Sequence, residues 1–176
     1  MKDRIRVGAG WKMEEKALGQ RSAGYVRRLS AFTRMEIIEV ADEHAPQSNS
    51  DAENELVKER EGERVLARIK DGEYVILLDL WGKMFDSEGF ARKIDTLQVQ
   101  GKGTLTFVIA GSLGPSPAVV KRAELRWKLS DLTFPHQPTR LPVLEQVYRA
   151  HMILPAPPYP QCNPAKTVRI RAKRPL

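Results

Sequence analysis

The chain has 176 residues, of which 41% are hydrophobic and 29% charged, a composition typical of a soluble globular protein rather than a disordered one. Its length predicts a single domain that buries a substantial core. No apolar run approaches the roughly 18 residues needed to span a membrane, and the first ten residues lack a secretory apolar segment. The one cysteine, Cys162, excludes an internal disulfide framework. These features predict a cytoplasmic protein.

The net charge of +7 is concentrated at the C-terminus. Residues 162–176 contain no acidic residue and five basic ones, namely Lys166, Arg169, Arg171, Lys173 and Arg174. Such a segment attracts polyanions such as RNA, although a solvated, disordered terminus explains it equally well. The proline-rich stretch that follows Ile153 predicts extended chain. We therefore predict a folded domain at 1–160 and a basic, flexible tail at 161–176.

The first half of the chain predicts alternating strands and helices. Residues 4–7 predict a strand that ends at a glycine turn, 14–32 a helix, and 34–42 a second strand. Ser50 and Glu53 have the spacing of a capping box, which predicts a charged helix from there to about Lys70.

The second half continues the alternation and contains the most apolar strand. Tyr74 to Leu80 is a nearly continuous apolar run, as expected for a parallel strand covered on both faces. Further elements follow in order: a helix from Asp86 to about Gln98, a strand from 104, a helix at 116–125, a strand at 126–134 and a helix at about 139–153. This order predicts an α/β, three-layer sandwich with a mainly parallel sheet.

Ligands of parallel α/β proteins bind beyond the carboxyl ends of the strands. One such end contains Gly111 and Gly114, which allow a ligand to approach the backbone closely, although a plain turn is the simpler interpretation. The chain has neither a GxGxxG nor a GxxxxGK[ST] motif. Its histidines, at 44, 136 and 151, lack the spacing of metal ligands, so we expect no metal site.

The segment 128–150, "KLSDLTFPHQPTRLPVLEQVYRA", allows two interpretations. It is either a well-packed terminal strand–helix unit, or a ligand-binding turn followed by a helix that presents chemical groups. Glu145 and Arg149 are four residues apart in the order that favours a surface ion pair. Alternatively, Arg140 and Arg149 beside a ligand turn hold a phosphate.

Three stretches of the second half resemble one known family. "VILLDLWGKMFDSEGFA", "FVIAGSLG" and "LSDLTFPHQPTRLPVLEQVYRA" are similar, in this order, to the RlmH family, and the resemblance extends over residues 4–159. These proteins are SPOUT-class methyltransferases that modify pseudouridine in large-subunit ribosomal RNA. The resemblance implies a C-terminal trefoil knot, a homodimer, and S-adenosyl-L-methionine bound in the knot. Sequence pattern alone predicts no knot, because threaded chains are nearly absent from proteins.

The resemblance also implies which residues bind the cofactor. They belong to the loops after the third, fourth and fifth strands: Leu78, Ala110, Gly111, Leu129, Ser130, Asp131, Leu132, Thr133 and Phe134. For the reaction we predict that Arg149 and Tyr159 position the target base, with Arg149 favouring the N3 anion, and that Arg140 contacts phosphate. The expected partner is ribosomal RNA in the large subunit or the assembled ribosome.

Two departures from the family pattern leave a second hypothesis open. Ala110 replaces the first of two usual glycines, and Tyr159-Pro160-Gln161 replaces a terminal Tyr-His-Arg or Tyr-His-Lys. The alternative is therefore a catalytically weak or inactive knotted homologue that binds the ribosome or RNA. An ordinary open α/β nucleotide-binding module is a third interpretation, and it requires the family match to be accidental.

Overall fold

The computed structural model describes residues 3–9, 16–40, 43 and 48–154. Five strands and five helices alternate within this part of the chain. The strands are β1 (Arg4–Ala9), β2 (Arg34–Glu39), β3 (Tyr74–Met84), β4 (Thr104–Ile109) and β5 (Leu125–Lys128). The helices are α1 (Lys16–Leu29), α2 (Asp51–Leu66), α3 (Ser87–Val99), α4 (Pro117–Arg122) and α5 (His136–Ile153).

All four strand pairings are parallel, and the strand order is β2-β1-β4-β3-β5. β1 lies between β2 and β4, and its Arg4 pairs with Arg34 of β2 and with Thr104 of β4. β3 pairs Tyr74 with Leu105 of β4 and Ile76 with Leu125 of β5. The predicted α/β fold with a parallel sheet is confirmed, whereas the trefoil knot stays a prediction.

Helices cover both faces of the sheet, because buried strand residues alternate between two apolar clusters. On one face α1, α3 and α5 pack together over a core in which the Phe90 and Trp127 rings stack with centroids 4.2 Å apart. On the other face α2 and α4 cover a smaller cluster around Val75 and Val108. These are the three layers that the element order predicts.

The predicted helix starts are confirmed where a side chain caps them. Ser50 accepts a hydrogen bond from the Glu53 backbone N–H, and Glu53 accepts one from the Ser50 backbone N–H, so the capping box of α2 is complete. Asp86 caps α3 by accepting from Gly89 N–H. Pro117 occupies the first turn of α4, where its missing N–H has no cost.

Two predicted boundaries around the last strand were wrong. β5 was expected to extend to Phe134 but ends at Lys128, because the Ser130 hydroxyl accepts the Leu132 N–H in a local turn that replaces the strand ladder. The last helix begins at His136 instead of 139. Pro138 falls within its first turn, a position that proline tolerates.

Three boundaries in the first half also differ from the prediction. β1 extends to Ala9 instead of ending at 7, α1 ends at Leu29 instead of 32, and β2 ends at Glu39 instead of 42.

The remaining differences concern β3 and the middle helices. β3 was expected to end near Leu80 but resumes pairing at Lys83 after an interruption. α2 ends at Leu66 rather than near Lys70, because Arg68 N–H bonds to Val65 in a tighter turn. α4 is shorter than predicted, since Glu124 N–H already bonds to Val75 and leads into β5. The predicted tail at 161–176, like the end of the predicted domain at 155–160, lies outside the described residues.

Candidate functional site

A cleft of about 790 Å³ lies where β3, β4 and β5 end, at the carboxyl edge of the sheet. Because all strands are parallel, the loops that follow these three neighbours meet at the same edge. Eight of the nine residues predicted to bind the cofactor line this cleft: Leu78, Ala110, Gly111, Leu129, Ser130, Leu132, Thr133 and Phe134. The topology therefore brings together three loops that are far apart in the sequence.

The first wall is built by an interruption in β3. Leu78 and Lys83 both pair with Trp127, so the four residues between them, 79–82, are looped out of the ladder. The Asp79 carboxylate fixes this bulge, accepting one hydrogen bond from the Trp81 backbone N–H at 3.0 Å and another from Arg126 Nε at 2.5 Å. A β-bulge of this kind redirects side chains away from the strand.

Gly82 is the last residue of the bulge, and the structure leaves no room for a side chain at this position. A Cβ at this position would lie 2.5 Å from the carbonyl carbon of Arg126, so the backbones of β3 and β5 are in direct contact. The consequence is a tight crossing of the two strands beside the cleft.

The second wall is the loop after β4. A Cβ at Gly111 would lie 2.6 Å from a carboxylate oxygen of Glu61, which is a buried residue of α2. A side chain at this position would therefore have to displace the Glu61 carboxylate. Gly114 has a φ of +88° and donates its N–H to the Gly111 carbonyl at 3.1 Å, which completes the turn. The half-buried Ala110 lies on the wall of the cleft, which keeps its volume of about 790 Å³ with this methyl group present.

The third wall is the loop between β5 and α5. Leu132 is 69% exposed and Phe134 44% exposed, and both border the cleft. Apolar side chains with this exposure offer contact area to a ligand. Asp131 is the ninth predicted cofactor residue, and the described lining does not include it. Its carboxylate instead pairs with Lys128 Nζ at 2.5 Å.

The two predicted arginines lie on α5, and the described lining of the cleft includes neither. Arg149 is 58% exposed at its side chain and donates from Nε to Glu145 at 2.6 Å, as the helical spacing predicts. Glu145 also accepts the Tyr25 hydroxyl of α1. That hydrogen bond to a carboxylate, with burial second, raises the pKa of Tyr25. Arg149 is therefore part of an α1–α5 contact in this chain.

Arg140 is buried, with a side chain only 3% exposed, and its Nη1 donates to Glu39 of β2 at 2.9 Å. Within the described residues, its Nε and Nη2 have no hydrogen-bond partner. To contact a phosphate, as predicted, the Arg140 side chain would have to leave Glu39 and the interior. Tyr159, the third predicted catalytic residue, lies outside the described residues.

The cofactor residues implied by the family resemblance do not include several polar or aromatic residues of the cleft, among them Lys58, Asp79, Trp81 and Arg126. Asp79 and Trp81 lie toward the carboxyl end of a buried parallel strand, where ligands bind, and this position is the signal that indicates them. Lys58 had none, since it is one of many charged residues on α2 and reaches the cleft only through packing.

The described residues contain no group of three or more His, Cys, Asp or Glu side chains that could hold a metal ion. Nor is any helix among them both long and apolar enough to cross a membrane.

Comparisons with known proteins identify relatives along most of the chain. A family model described as "Predicted SPOUT methyltransferase" matches residues 3–159. The chain is 51% identical over 155 residues to the "Ribosomal RNA large subunit methyltransferase H" of Listeria monocytogenes serovar 1/2a, covering 88% of this chain and 98% of the relative. The protein of the same name from Desulfitobacterium hafniense is 49% identical, with 88% and 97% covered. That from Latilactobacillus sakei is 51% identical, with 88% and 98% covered.

Proposed function

Because the chain belongs to the SPOUT methyltransferase family, we propose that it transfers a methyl group from S-adenosyl-L-methionine to N3 of a pseudouridine in large-subunit ribosomal RNA. The observation that supports this most directly is the convergence of the three predicted cofactor loops on one cleft. The relatives' name supplies the class of substrate, and the resemblance of the C-terminal motifs supplies the pseudouridine.

The cleft fits the proposed cofactor in size and in chemistry. Small-molecule sites have volumes of roughly 300–1,000 Å³ and are mostly apolar with a few polar groups, and the cleft of about 790 Å³ falls in this range. Leu78, Leu129, Leu132 and Phe134 would contact the adenine ring, and backbone groups at 110–111 and 130–133 would bind its polar edge and the ribose. Lys58 of α2 also borders the cleft and would bind the carboxylate of the cofactor by exchanging it for Glu55, with which its ammonium pairs at 2.5 Å.

Bound S-adenosyl-L-methionine supplies a methyl group that its sulfonium already makes electrophilic. The protein then has to hold the target nitrogen in line with that methyl and to favour loss of the N3 proton. We propose that Arg149 favours the N3 anion by its charge and that Tyr159 positions the base. Arg140 stays assigned to phosphate in this proposal, a role for which its side chain has to exchange Glu39 for the RNA.

A homodimer is part of this proposal, because Arg149 does not border the cleft of its own chain. Arg149 is largely exposed on α5, and the same helix ends in two exposed apolar side chains, Met152 at 57% and Ile153 at 44%. A second copy packed against this part of α5 would cover the apolar side chains. It would also receive Arg149 and Tyr159 at its own cleft.

Recognition of the RNA is proposed to depend on an assembled ribosomal surface. Five of the seven net positive charges of the chain belong to 162–176, so the remainder is nearly neutral and lacks the charge of a long RNA groove. The basic segment would add a salt-dependent attraction to the ribosome.

Two measurements test the proposal. Calorimetry with S-adenosyl-L-methionine tests the cleft, and transfer of a labelled methyl to large subunits from a strain that lacks the modification tests the reaction. We expect Leu132→Ala to weaken donor binding about tenfold, since a buried leucine contributes about 1.5–3 kcal/mol. Asp131→Ala is the matched control, because its side chain pairs with Lys128 outside the cleft lining, and it should change affinity less than twofold.

Each outcome has a distinct meaning. Donor binding without methyl transfer favours the catalytically inactive homologue. Ala110 and the altered Tyr159-Pro160-Gln161 sequence are the features that suggest this alternative. Absence of donor binding refutes the methyltransferase and counts against the inactive homologue as well, and equal effects of the two substitutions refute the assignment of the cleft.

A further inference from the structure

The bulge of β3 holds an aromatic ring at the mouth of the cleft. Trp81 borders the cleft and is nevertheless 85% exposed, so most of its indole surface faces outward. Its backbone is fixed by the Asp79 carboxylate and by the tight crossing at Gly82, where a Cβ would lie 2.5 Å from Arg126. The ring is thus displayed by a strand that pairs with β5 on both sides of the bulge.

An apolar ring exposed to this degree is a candidate contact for a ligand or a partner, because binding would remove it from water. Among the described residues, ten large apolar side chains are exposed, and four of them border this one cleft: Leu80, Trp81, Leu132 and Phe134. Leu132 and Phe134 are assigned to the cofactor in the proposed function. Trp81 is more exposed than either, so it is placed to contact a molecule that approaches from outside.

The charges near Trp81 suit a polyanion. Lys83 follows two residues later and is exposed, with its ammonium 5.1 Å from the centroid of the Phe85 ring. Lys128, on the neighbouring strand, lies opposite Met84 in the ladder, and its ammonium pairs with the exposed carboxylate of Asp131, which a phosphate would have to displace. An aromatic ring beside cations is the combination with which proteins hold unstacked nucleotides, the ring contacting a base and the cations a phosphate.

The proposed reaction requires such a contact. A base within a helix or a stacked loop is out of reach of a donor at the bottom of a cleft, so the nucleotide has to leave its stack before transfer. The stacking energy that the base loses has to be replaced at the mouth of the cleft, and an exposed indole is well suited to this.

We propose that Trp81 is a positioning residue that stacks on a nucleobase of the RNA substrate at the mouth of the donor cleft. This inference rests on the proposed function. A second copy of the chain is the competing occupant of the same surface, and the two make different predictions for the mass of the protein in solution.

The experiment compares Trp81→Ala with Trp81→Phe and with Val99→Ala, a control at the end of α3 that removes an 82% exposed side chain away from the cleft. We expect Trp81→Ala to raise KM for large ribosomal subunits about tenfold or more, because base–aromatic stacking has an effect of this size. Trp81→Phe should restore most of the loss, and Val99→Ala should behave as wild type. Donor affinity by calorimetry and the mass by light scattering should be unchanged in all three.

Two results overturn the proposal: a KM within twofold of wild type for Trp81→Ala, or a loss of that variant's native mass, which would assign Trp81 to contact between subunits. If the wild-type protein transfers no methyl, the proposed function fails separately. Direct binding of the large subunit to wild type and Trp81→Ala then decides the stacking role, with equal affinities counting against it.

Discussion

Two arginines of this protein are equally buried and yet differently satisfied. Arg6 of β1 is 5% exposed and donates to Glu36, to Glu73 and to the Arg68 carbonyl, while Glu73 also accepts the Thr106 hydroxyl at 2.6 Å. Arg140 of α5 is 2% exposed and donates only to Glu39, with two of its nitrogens lacking a partner in the described part of the chain.

The two arginines differ in their hydrogen bonding because they lie toward opposite ends of the parallel strands. Glu73 directly precedes β3, so the Arg6 network lies toward the amino ends, where a parallel α/β sheet is used for stability. Glu39 is the last residue of β2, so Arg140 lies at the carboxyl edge, on the same edge as the cleft. Among the described residues, the amino side is thus closed by a polar network in which each arginine nitrogen has a partner, whereas the carboxyl edge retains unpaired donors and exposed apolar side chains.

The largest expected effect comes from opening the saturated network. Arg6→Met leaves the Glu73 carboxylate, 7% exposed, without its cation, and removing one partner of a buried ion pair destabilises a protein by about 3–5 kcal/mol. Urea denaturation should show this loss. Calorimetry should show unchanged donor affinity, because neither residue is part of the described cleft lining. A variant of wild-type stability would contradict the structural role assigned to the network.

The Arg6 network shows which parts of this fold are predictable from local sequence patterns and which are not. The element order, the Ser50–Glu53 capping box and the apolar β3 were predictable because each depends on residues close together in the sequence. The partners of Arg6 are Glu36, Arg68 and Glu73, at separations of 30 to 67 residues. No spacing rule links such residues, so the network was not predictable.

The cleft likewise has a part that was predictable from the sequence and a part that was not. Its three loops were identified through family resemblance together with the rule that ligands bind at carboxyl strand ends. The bulge at 79–82 was missed, because it arises where β3 crosses β5 and not from any alternation within "LDLWGK". The burial of Arg140 was also missed, because Glu39, which holds it in the interior, lies 101 residues earlier in the sequence.

Arg140→Met tests the other half of the comparison and should have a much smaller effect. Among the described residues, the guanidinium has buried N–H groups without a partner, which is unfavourable. Removing one partner of an ion pair is costly where it leaves the other charge buried, but the Glu39 side chain is 35% exposed and can be hydrated when the arginine is removed. We expect a loss of about 1 kcal/mol or less by urea denaturation, and a loss equal to that of Arg6→Met would break the distinction between the two arginines.

The smallest effect should come from a pair that is fully satisfied but exposed, the capping box of α2. The Ser50 backbone N–H, and secondly the Ser50 hydroxyl, lower the pKa of the Glu53 carboxyl. A carboxyl whose pKa is lower in the folded protein stabilises it above the unfolded pKa of about 4.3, and this contribution disappears as the pH falls through the folded pKa. Glutamine at this position still accepts the hydrogen bond but does not titrate.

Glu53→Gln should therefore denature at slightly lower urea concentration than wild type at pH 7, and the difference should shrink as the pH falls below the unfolded pKa and disappear below the lowered folded pKa. Glu59→Gln, an exposed carboxylate on the same helix outside the box, is the matched control for the loss of one charge. A difference that stays constant from pH 7 to pH 3 would show that the hydrogen bonds of Glu53 do not depend on its charge. The Ser50–Glu53 pair has its hydrogen bonds made, as Arg6 does, but it is exposed to solvent. A small effect here would show that the stability of the amino side of the sheet depends on burial together with complete hydrogen bonding, and not on hydrogen bonding alone.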